Sequence, residues 1–203
     1  MSNRDFEIVR EDLHRRYDHL VAAERIDEVV NETIVEQNAT AKLTAFLPIF
    51  VERSAAEKLE MLAEGQEFSP RKEILFACER NAGRSQLASA ITRHLVGDAV
   101  FVRSVGLNSR GGINPTVLKV LEERGIKTND LYQKEITPRV AHRADVVVLL
   151  GINEIPGVPG DRYIRWDISD PEGASIEDVR IIADQIEDRI RALLPKLAVA
   201  VPA

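Results

Sequence analysis

An apolar run that ends at Cys78 is followed by a short polar loop and then by an amphipathic segment, and this succession is the feature that most constrains the fold. Residues 74–78 have the length and composition of a buried strand, and residues 86–96 repeat apolar side chains at helical spacing. The chain therefore passes from the carboxyl end of a strand into the amino end of a helix. Such units build parallel sheets that are covered by helices.

The same alternation of strand and helix continues to the end of the chain. Strands are predicted at residues 100–105, 145–150 and 162–166, and helices at residues 115–124 and 175–197. Asn114 and Ser175 are typical helix caps, and Gly125 suits a helix end. We therefore predict an α/β fold, in which a four-stranded parallel sheet is flanked by helices.

The amino-terminal third of the chain shows only helical periodicity. Two amphipathic segments are followed by a third from about Ala41 to Leu62, which Pro48 either kinks or enters in its first turn. Gly, Ser and Pro then interrupt the pattern at residues 64–71. We predict a small three-helix domain over residues 1–68 and a catalytic domain over residues 72–203.

Composition predicts a cytoplasmic enzyme. The 203 residues are 44% hydrophobic and 30% charged, and the formal net charge of −6 argues against general affinity for nucleic acid. No apolar run is long enough to span a bilayer, no secretory signal is recognised, and a lone cysteine fits a reducing compartment. The four histidines lack ligand spacing, so we expect no metal. We also expect no bound cofactor and no membrane partner.

The loop between Cys78 and the following helix has the features of an anion site. Unpaired backbone N–H groups and the helix dipole favour a negative charge there, and so favour a thiolate. Asn81 and Gly83 tolerate the positive φ values of a tight cradle. Arg84 can hold an oxyanion by a two-pronged contact, and Ser85 can donate to the thiolate or begin the helix. The alternative, a small buried hydrophobe at Cys78, is disfavoured by this context.

These residues resemble a known family. Cys-x5-Arg-Ser after a first strand is similar to the low-molecular-weight protein tyrosine phosphatase superfamily, and residues 81–86 are similar to its arsenate reductase branch. The actinobacterial type, which couples to mycothiol or thioredoxin and in some members carries three amino-terminal helices, is the most similar. The likeness covers essentially all of residues 72–197, with matching motifs at residues 103–106, 113–115 and 166–173.

The resemblance implies roles for individual residues. Cys78 would attack arsenic or phosphorus, and Asp170 of an Asp-Pro pair would protonate the leaving oxygen, as such a displacement requires. Asp167 is the second candidate for the acid, and the alternative for Asp170 is a simple turn residue before proline. The predicted oxyanion-binding residues are Glu79, Arg80, Asn81, Ala82, Gly83, Arg84 and Ser85.

Two departures from the family pattern bear on the chemistry. Glu79 and Arg80 stand where phosphatases usually carry small or neutral residues, and an inward Glu79 carboxylate would oppose oxyanion binding, whereas an outward one would not. The positions of two further cysteines in thioredoxin-coupled reductases hold Gly151 and Ile155, so the chain cannot form an internal disulfide. We therefore expect an external thiol of the mycothiol or glutathione type, with a redoxin partner.

Three hypotheses for the function follow. The first is an arsenate reductase whose loop binds a small oxyanion such as arsenate, phosphate or sulfate. The second is a protein tyrosine phosphatase, although Glu172 and Gly173 replace the aromatic residue that usually follows the Asp-Pro pair in that branch. The third is a catalytically weak oxyanion-binding or dimerisation protein. The amino-terminal helices would form a homodimer, cover the active site or pack on their own catalytic domain.

Overall fold

The computed structural model describes residues 3–40, 47–64, 70–136, 144–155, 158 and 160–201. The chain forms two compact units, Met1–Arg71 and Lys72–Ala203. In the described ranges, no helix combines the length and the apolar character that crossing a membrane requires. The predicted start of the third helix at Ala41 and the predicted end of the first domain at residue 68 lie outside these ranges.

The first unit contains the predicted three helices, α1 (Asn3–Tyr17), α2 (Ala23–Thr40) and α3 (Leu47–Ala63). Pro48 lies in the first turn of α3, where its missing N–H leaves no helical hydrogen bond unmade. Apolar side chains at helical spacing meet in a core that includes Val9, Leu13, Tyr17, Ile26, Val30, Val51, Ala55 and Leu59.

The second unit is built on a parallel sheet with the order β2-β1-β3-β4. This confirms the predicted four-stranded parallel sheet. β1 is central, and after its first residue every side chain is buried, because helices and loops cover both faces of the sheet. The described strands are β1 (Lys72–Cys78), β2 (Val100–Gly106), β3 (Ala144–Leu150) and β4 (Gly160–Trp166).

The described helices of this unit are α4 (Arg84–Val96), α5 (Pro115–Glu123) and α6 (Ile176–Leu193). The Asn114 side chain accepts from two N–H groups at the start of α5, and Ser175 accepts from the Asp178 N–H, so both predicted caps are present. α6 ends at Leu193, before the predicted end at residue 197, because Pro195 cannot donate to a helical carbonyl and the chain tightens into a 3-10 turn.

Close approach of the first two strands positions the loop after Cys78. Gly106, which pairs with Cys78 across the sheet, has no side chain to keep the loop away. A Cβ at Gly106 would lie 2.7 Å from the Asn81 nitrogen. The Leu107 N–H donates to the Cys78 carbonyl at 3.2 Å, and the Asn108 N–H donates to the Glu79 carbonyl at 2.8 Å. The loop therefore lies fixed against the carboxyl edge of the sheet.

Candidate active site

Cys78 is the last residue of β1, and only 2% of it is exposed. Its Sγ lies 3.0 Å from the Ser85 Oγ and accepts from the Asn81 N–H at 3.3 Å. Burial alone would fit a core cysteine, but a core cysteine needs no polar contacts at its sulfur. These two contacts orient the sulfur towards the loop.

The Asn81 side chain holds the loop in its shape. Asn81 has a φ of 50°, a conformation that costs energy for residues other than glycine. Its Nδ2 donates to the Ser85 Oγ at 2.8 Å, and its Oδ1 accepts from the Gln86 Nε2 at 3.0 Å and from the Lys134 N–H at 2.8 Å. The hydrogen bonds compensate for the backbone conformation, and they link the loop to α4 and to a neighbouring segment.

Gly83 is required for a different reason from the one that its residue type suggests. Its φ is −136°, so the expectation of a positive φ at this position is wrong. A Cβ on Gly83 would instead collide with the Pro171 ring. The absent side chain lets the Asp170-Pro171 turn pack directly against the start of α4, and so sets the separation between the cysteine loop and the candidate acid.

The Arg84 guanidinium bridges to the loop after β4. Its Nη2 donates to the Asp170 Oδ2 at 2.9 Å, and its Nη1 donates to the Ile168 carbonyl at 3.4 Å. Gly151 lies beneath the guanidinium, with a φ of 65°, and a Cβ there would collide with the Arg84 Nη1. Sequence reasoning recognised Gly151 only as a position without a cysteine. A glycine directly after β3 is the signal that pointed to a close approach.

A small cavity lies at the centre of these residues, and its volume is about 10 Å³. Such a volume holds about one water molecule. The Asp170 carboxylate lies within 3.7 Å of the Arg80 Nη2 as well as at the Arg84 guanidinium. The Glu172 carboxylate lies 3.2 Å from the same Arg80 Nη2, so two cations and two carboxylates surround the cavity. It is lined by Cys78, Arg80, Ala82, Gly83, Arg84, Asn114, Asp170, Pro171 and Glu172.

The predicted oxyanion-binding residues fall into two groups. Arg80, Ala82, Gly83 and Arg84 line the cavity, whereas Asn81 and Ser85 lie fully buried outside its lining and contact the Cys78 sulfur. Glu79 does not line the cavity, because its carboxylate accepts from the Asn108 Nδ2 at 2.6 Å. Its outward direction leaves the cradle free of that negative charge.

The two candidate acids occupy different places. Asp170 lines the cavity, whereas Asp167 is exposed and does not line it. The Asp167 carbonyl accepts from Arg189 of α6 at 3.1 Å. Trp166 packs on Phe76 in the core, with 6.0 Å between the ring centroids, and does not line the cavity. The structure thus brings Asp170, and not Asp167, to the cysteine.

Asn114 and Gln86 have roles that sequence reasoning missed. Beyond capping α5, Asn114 donates its backbone N–H to the Ala82 carbonyl at 2.9 Å and its Nδ2 to the Pro171 carbonyl at 3.1 Å. Gln86 is fully buried and donates to the Asn81 carbonyl at 3.1 Å. One residue therefore ties the cysteine loop to the aspartate loop, and the other supports the cysteine loop from behind. Within the described ranges, no group of His, Cys, Asp and Glu side chains has the arrangement of a metal site.

The comparison with known families agrees with this geometry. Residues 73–202 match the family described as low molecular weight phosphotyrosine protein phosphatase. The chain belongs to this family. Residues 7–63 match a second family, described as the amino-terminal domain of protein-tyrosine-phosphatase-like proteins.

Members of the family with known names include reductases and phosphatases. A thioredoxin-dependent arsenate reductase of Corynebacterium glutamicum has a solved structure that is 33% identical, with a TM-score of 0.52 and 98% of each chain covered. A glutaredoxin arsenate reductase of Synechocystis is 32% identical over 131 residues, which are 63% of this chain and 99% of that protein. An arginine phosphatase of Geobacillus stearothermophilus is 26% identical, with a TM-score of 0.53, over 63% of this chain and 93% of that one.

Proposed function

We propose that this protein reduces arsenate, with Cys78 as the nucleophile and an external thiol as the reductant. The observation that carries the proposal is the Cys78 sulfur in a cavity whose mouth holds Arg84 and Asp170, 2.9 Å apart. Similarity along almost the whole chain to an arsenate reductase of the same family supports the choice of substrate.

Arsenate would displace the Asp170 carboxylate from the Arg84 guanidinium and accept its hydrogen bonds. A cavity of about 10 Å³ is too small for a tetrahedral oxyanion, so the Asp170 side chain has to withdraw when the anion enters. The Cys78 sulfur then attacks arsenic. A sulfur–arsenic bond forms and an arsenic–oxygen bond breaks. Asp170, which takes up a proton from water after it leaves the Arg84 guanidinium, gives that proton to the departing hydroxide, which leaves as water.

The next two steps need thiols from outside the chain, because Cys78 is its only cysteine. The thiolate of a small thiol, of the mycothiol or glutathione type, attacks arsenic and displaces the Cys78 thiolate. Arsenic leaves on the small thiol and is still pentavalent. A redoxin thiol then attacks the sulfur of this adduct, a disulfide forms, and the electron pair of the broken sulfur–arsenic bond stays on arsenic as arsenite.

The deciding experiment measures arsenite released from arsenate by the full chain, with mycothiol or glutathione and the matching redoxin. We expect turnover that depends on the small thiol and that is lost in Cys78→Ser. Absence of arsenite from a folded protein with either thiol would contradict the proposal.

Hydrolysis of phosphomonoesters is the second candidate. Similarity to the arginine phosphatase favours hydrolysis at phosphorus, although the bond in phosphoarginine is a phosphorus–nitrogen bond and not an ester. The same residues would form a phosphoryl–Cys78 intermediate, which water would then cleave. Phosphotyrosine and phosphoarginine are the substrates to test beside arsenate. Hydrolysis without any need for a thiol would identify a phosphatase, and binding of sulfate without either reaction would identify a non-catalytic oxyanion-binding protein.

A further inference from the structure

We propose that a second cavity beside the catalytic one binds the external thiol, and that this thiol carries carboxylates, as peptide thiols do. The inference rests on the proposed arsenate reduction, because only that reaction needs a small thiol. The side chain that we assign to recognition of a thiol carboxylate is that of Arg110.

The second cavity has a volume of about 300 Å³, which lies in the range of sites for small ligands. It shares the lining residues Arg80, Ala82, Asn114 and Glu172 with the catalytic cavity, so the two cavities are adjacent. The thiol of a ligand bound in the second cavity is therefore close to the cavity that contains Cys78. Its remaining lining residues are Arg110, Gly111, Gly112, Ile113, Pro115, Thr116, Gly173 and Ala174.

The charges that line this cavity match an amino-acid head group. Arg110 is exposed and makes no ion pair with any residue that the structure describes. Arg80, by contrast, lies 3.2 Å from the Glu172 carboxylate, which is 56% exposed. The Arg110 guanidinium is suited to two-pronged binding of a carboxylate, and Glu172 can accept from an ammonium group. A neutral sugar thiol would use neither charge.

The Gln133 side chain makes three hydrogen bonds that help to hold the wall that carries Arg110. The Gln133 Nε2 donates to the Arg110 carbonyl at 3.1 Å and to the Arg80 carbonyl at 2.8 Å. The Gln133 Oε1 accepts from the Gly112 N–H at 2.8 Å. The segment with Arg110 is thereby joined to the cysteine loop. A preformed wall lowers the entropy that a ligand loses on binding.

The test uses S-methylglutathione, which carries the carboxylates and the ammonium of glutathione but has no reactive thiol. Its binding to the full chain is measured by calorimetry for the wild type, Arg110→Ala and Arg162→Ala. Arg162 is an exposed arginine of β4 that lines neither cavity, so its removal changes the net charge equally. We expect Arg110→Ala to weaken binding about tenfold, as for loss of a charged hydrogen bond at the surface, and Arg110→Lys to restore part of it.

Equal affinity in the wild type and in Arg110→Ala would overturn the assignment. Equal affinity for S-methylglutathione and its carboxylate diester would overturn it too, because the charges would then not be recognised. This assay needs no arsenate. Binding that depends on Arg110, without any arsenite release, would support the thiol-binding site and contradict the proposed arsenate reduction. Arsenite release with a KM for glutathione that Arg110→Ala leaves unchanged would keep the reductase and overturn the site.

Discussion

Arg84 and Asp170 form an ion pair at the cavity, and the Asp170 carboxylate occupies the side of the Arg84 guanidinium to which an oxyanion would bind. Arg84 is 8% exposed and its guanidinium donates to the Asp170 carboxylate at 2.9 Å, so in the proposed reaction the incoming oxyanion replaces that carboxylate. In the proposed reaction, the displaced Asp170 carboxylate takes up a proton and then donates it to the leaving oxygen. At the scale of single residues, the ion pair thus links oxyanion binding with the placement of the acid.

Asp170→Asn is expected to change binding and catalysis in opposite directions. The amide cannot supply the proton, so kcat for arsenate should fall by about 10²- to 10⁴-fold. A neutral amide competes less for the Arg84 guanidinium, so the Kd for sulfate should fall several-fold. Steady-state kinetics and sulfate titration measure the two effects.

Asp167→Asn is the matched control, because Asp167 is exposed and lies outside the cavity lining. It should leave both quantities unchanged. Weaker sulfate binding in Asp170→Asn would argue that Asp170 only maintains the shape of the site.

Gly151→Ala should disable the anion site through Arg84. The new Cβ would collide with the Arg84 Nη1, and the φ of 65° at position 151 is unfavourable for alanine. Gly125→Ala has a similar φ of 71° but nothing within 4 Å of the added Cβ. Both variants should lose about 1–2 kcal/mol of unfolding free energy in urea, but only Gly151→Ala should also lose sulfate binding. Equal sulfate binding in the two variants would contradict this account.

At the scale of secondary-structure elements, two helix caps allow an effect on stability to be distinguished from an effect on activity. Asn114 caps α5 and also donates to the Pro171 carbonyl, whereas Ser175 caps α6 and has no contact with the cavity. Asn114→Ala and Ser175→Ala should each cost about 1 kcal/mol of stability. Only Asn114→Ala should also lower kcat/KM for arsenate, and an equal kinetic effect of both variants would refute the link between the two loops.

The helices α1 and α2 carry an ion pair that makes the stability depend on pH. Hydrogen bonds from His14 and then from Arg10 hold the pKa of Asp27 below its usual value. A folded-state pKa below the unfolded one means that the stabilisation is complete above the unfolded value of about 3.9 and is lost as the pH falls through the folded pKa.

Asp27→Asn should therefore lower the Tm at neutral pH, and the gap to the wild type should close in acid. Thermal unfolding between about pH 2 and pH 7 covers the range in which the carboxylate titrates. Glu7→Gln, which removes an exposed carboxylate from α1, serves as the control. A gap that stays constant with pH would show that this pair has no part in acid unfolding.

Much of this architecture follows from local sequence. Parallel strands that are buried on both faces appear as apolar runs, so β1, β2 and β3 were predictable within a few residues. β4 lies at the edge of the sheet and is mostly exposed, and its predicted start at residue 162 falls two residues late. Loops at the carboxyl edge of such a sheet converge, which is why Cys78 and Asp170 could be expected near each other. The end of α6 differs because its last turn depends on the position of Pro195.

Other features depend on distances between segments that are remote in sequence. The collision that would arise at Gly151 exists only because the Arg84 side chain crosses the sheet edge to meet it. The outward direction of Glu79 is set by Asn108, which follows a different strand. The second cavity arises where Arg110 and Glu172, on separate loops, face a common space. A local pattern, such as the glycine after β3, can indicate a close approach, but it does not specify which remote residue makes the contact.

At the scale of the whole molecule, the relatives suggest which part carries the chemistry. The Synechocystis reductase matches 63% of this chain over 99% of its own length, and the phosphatase family matches residues 73–202, which lie within the second unit. We propose that residues 72–203 form an independent catalytic domain and that the preceding helices form a separate one.

A protein that begins at Lys72 should therefore unfold cooperatively and bind sulfate with the Kd of the full chain. Urea denaturation and sulfate titration of the two lengths, measured side by side, check this. A broad, non-cooperative transition of the shorter chain would show that the catalytic unit depends on the amino-terminal helices.

Because the chain has a single cysteine, the covalent intermediate of the proposed reaction can be followed by the mass of the intact protein. With one thiol per chain, the intact protein has one place for a covalent adduct. In the proposed reaction, the mass of the polypeptide rises when Cys78 attacks arsenate and returns to its starting value when the small thiol displaces Cys78. Mass spectra of the protein quenched during turnover would show how its population divides between free thiol and arsenic adduct. The more abundant species would show whether attack on arsenate or displacement by the small thiol is slower. The chain has no second cysteine that could displace the arsenic and form an internal disulfide.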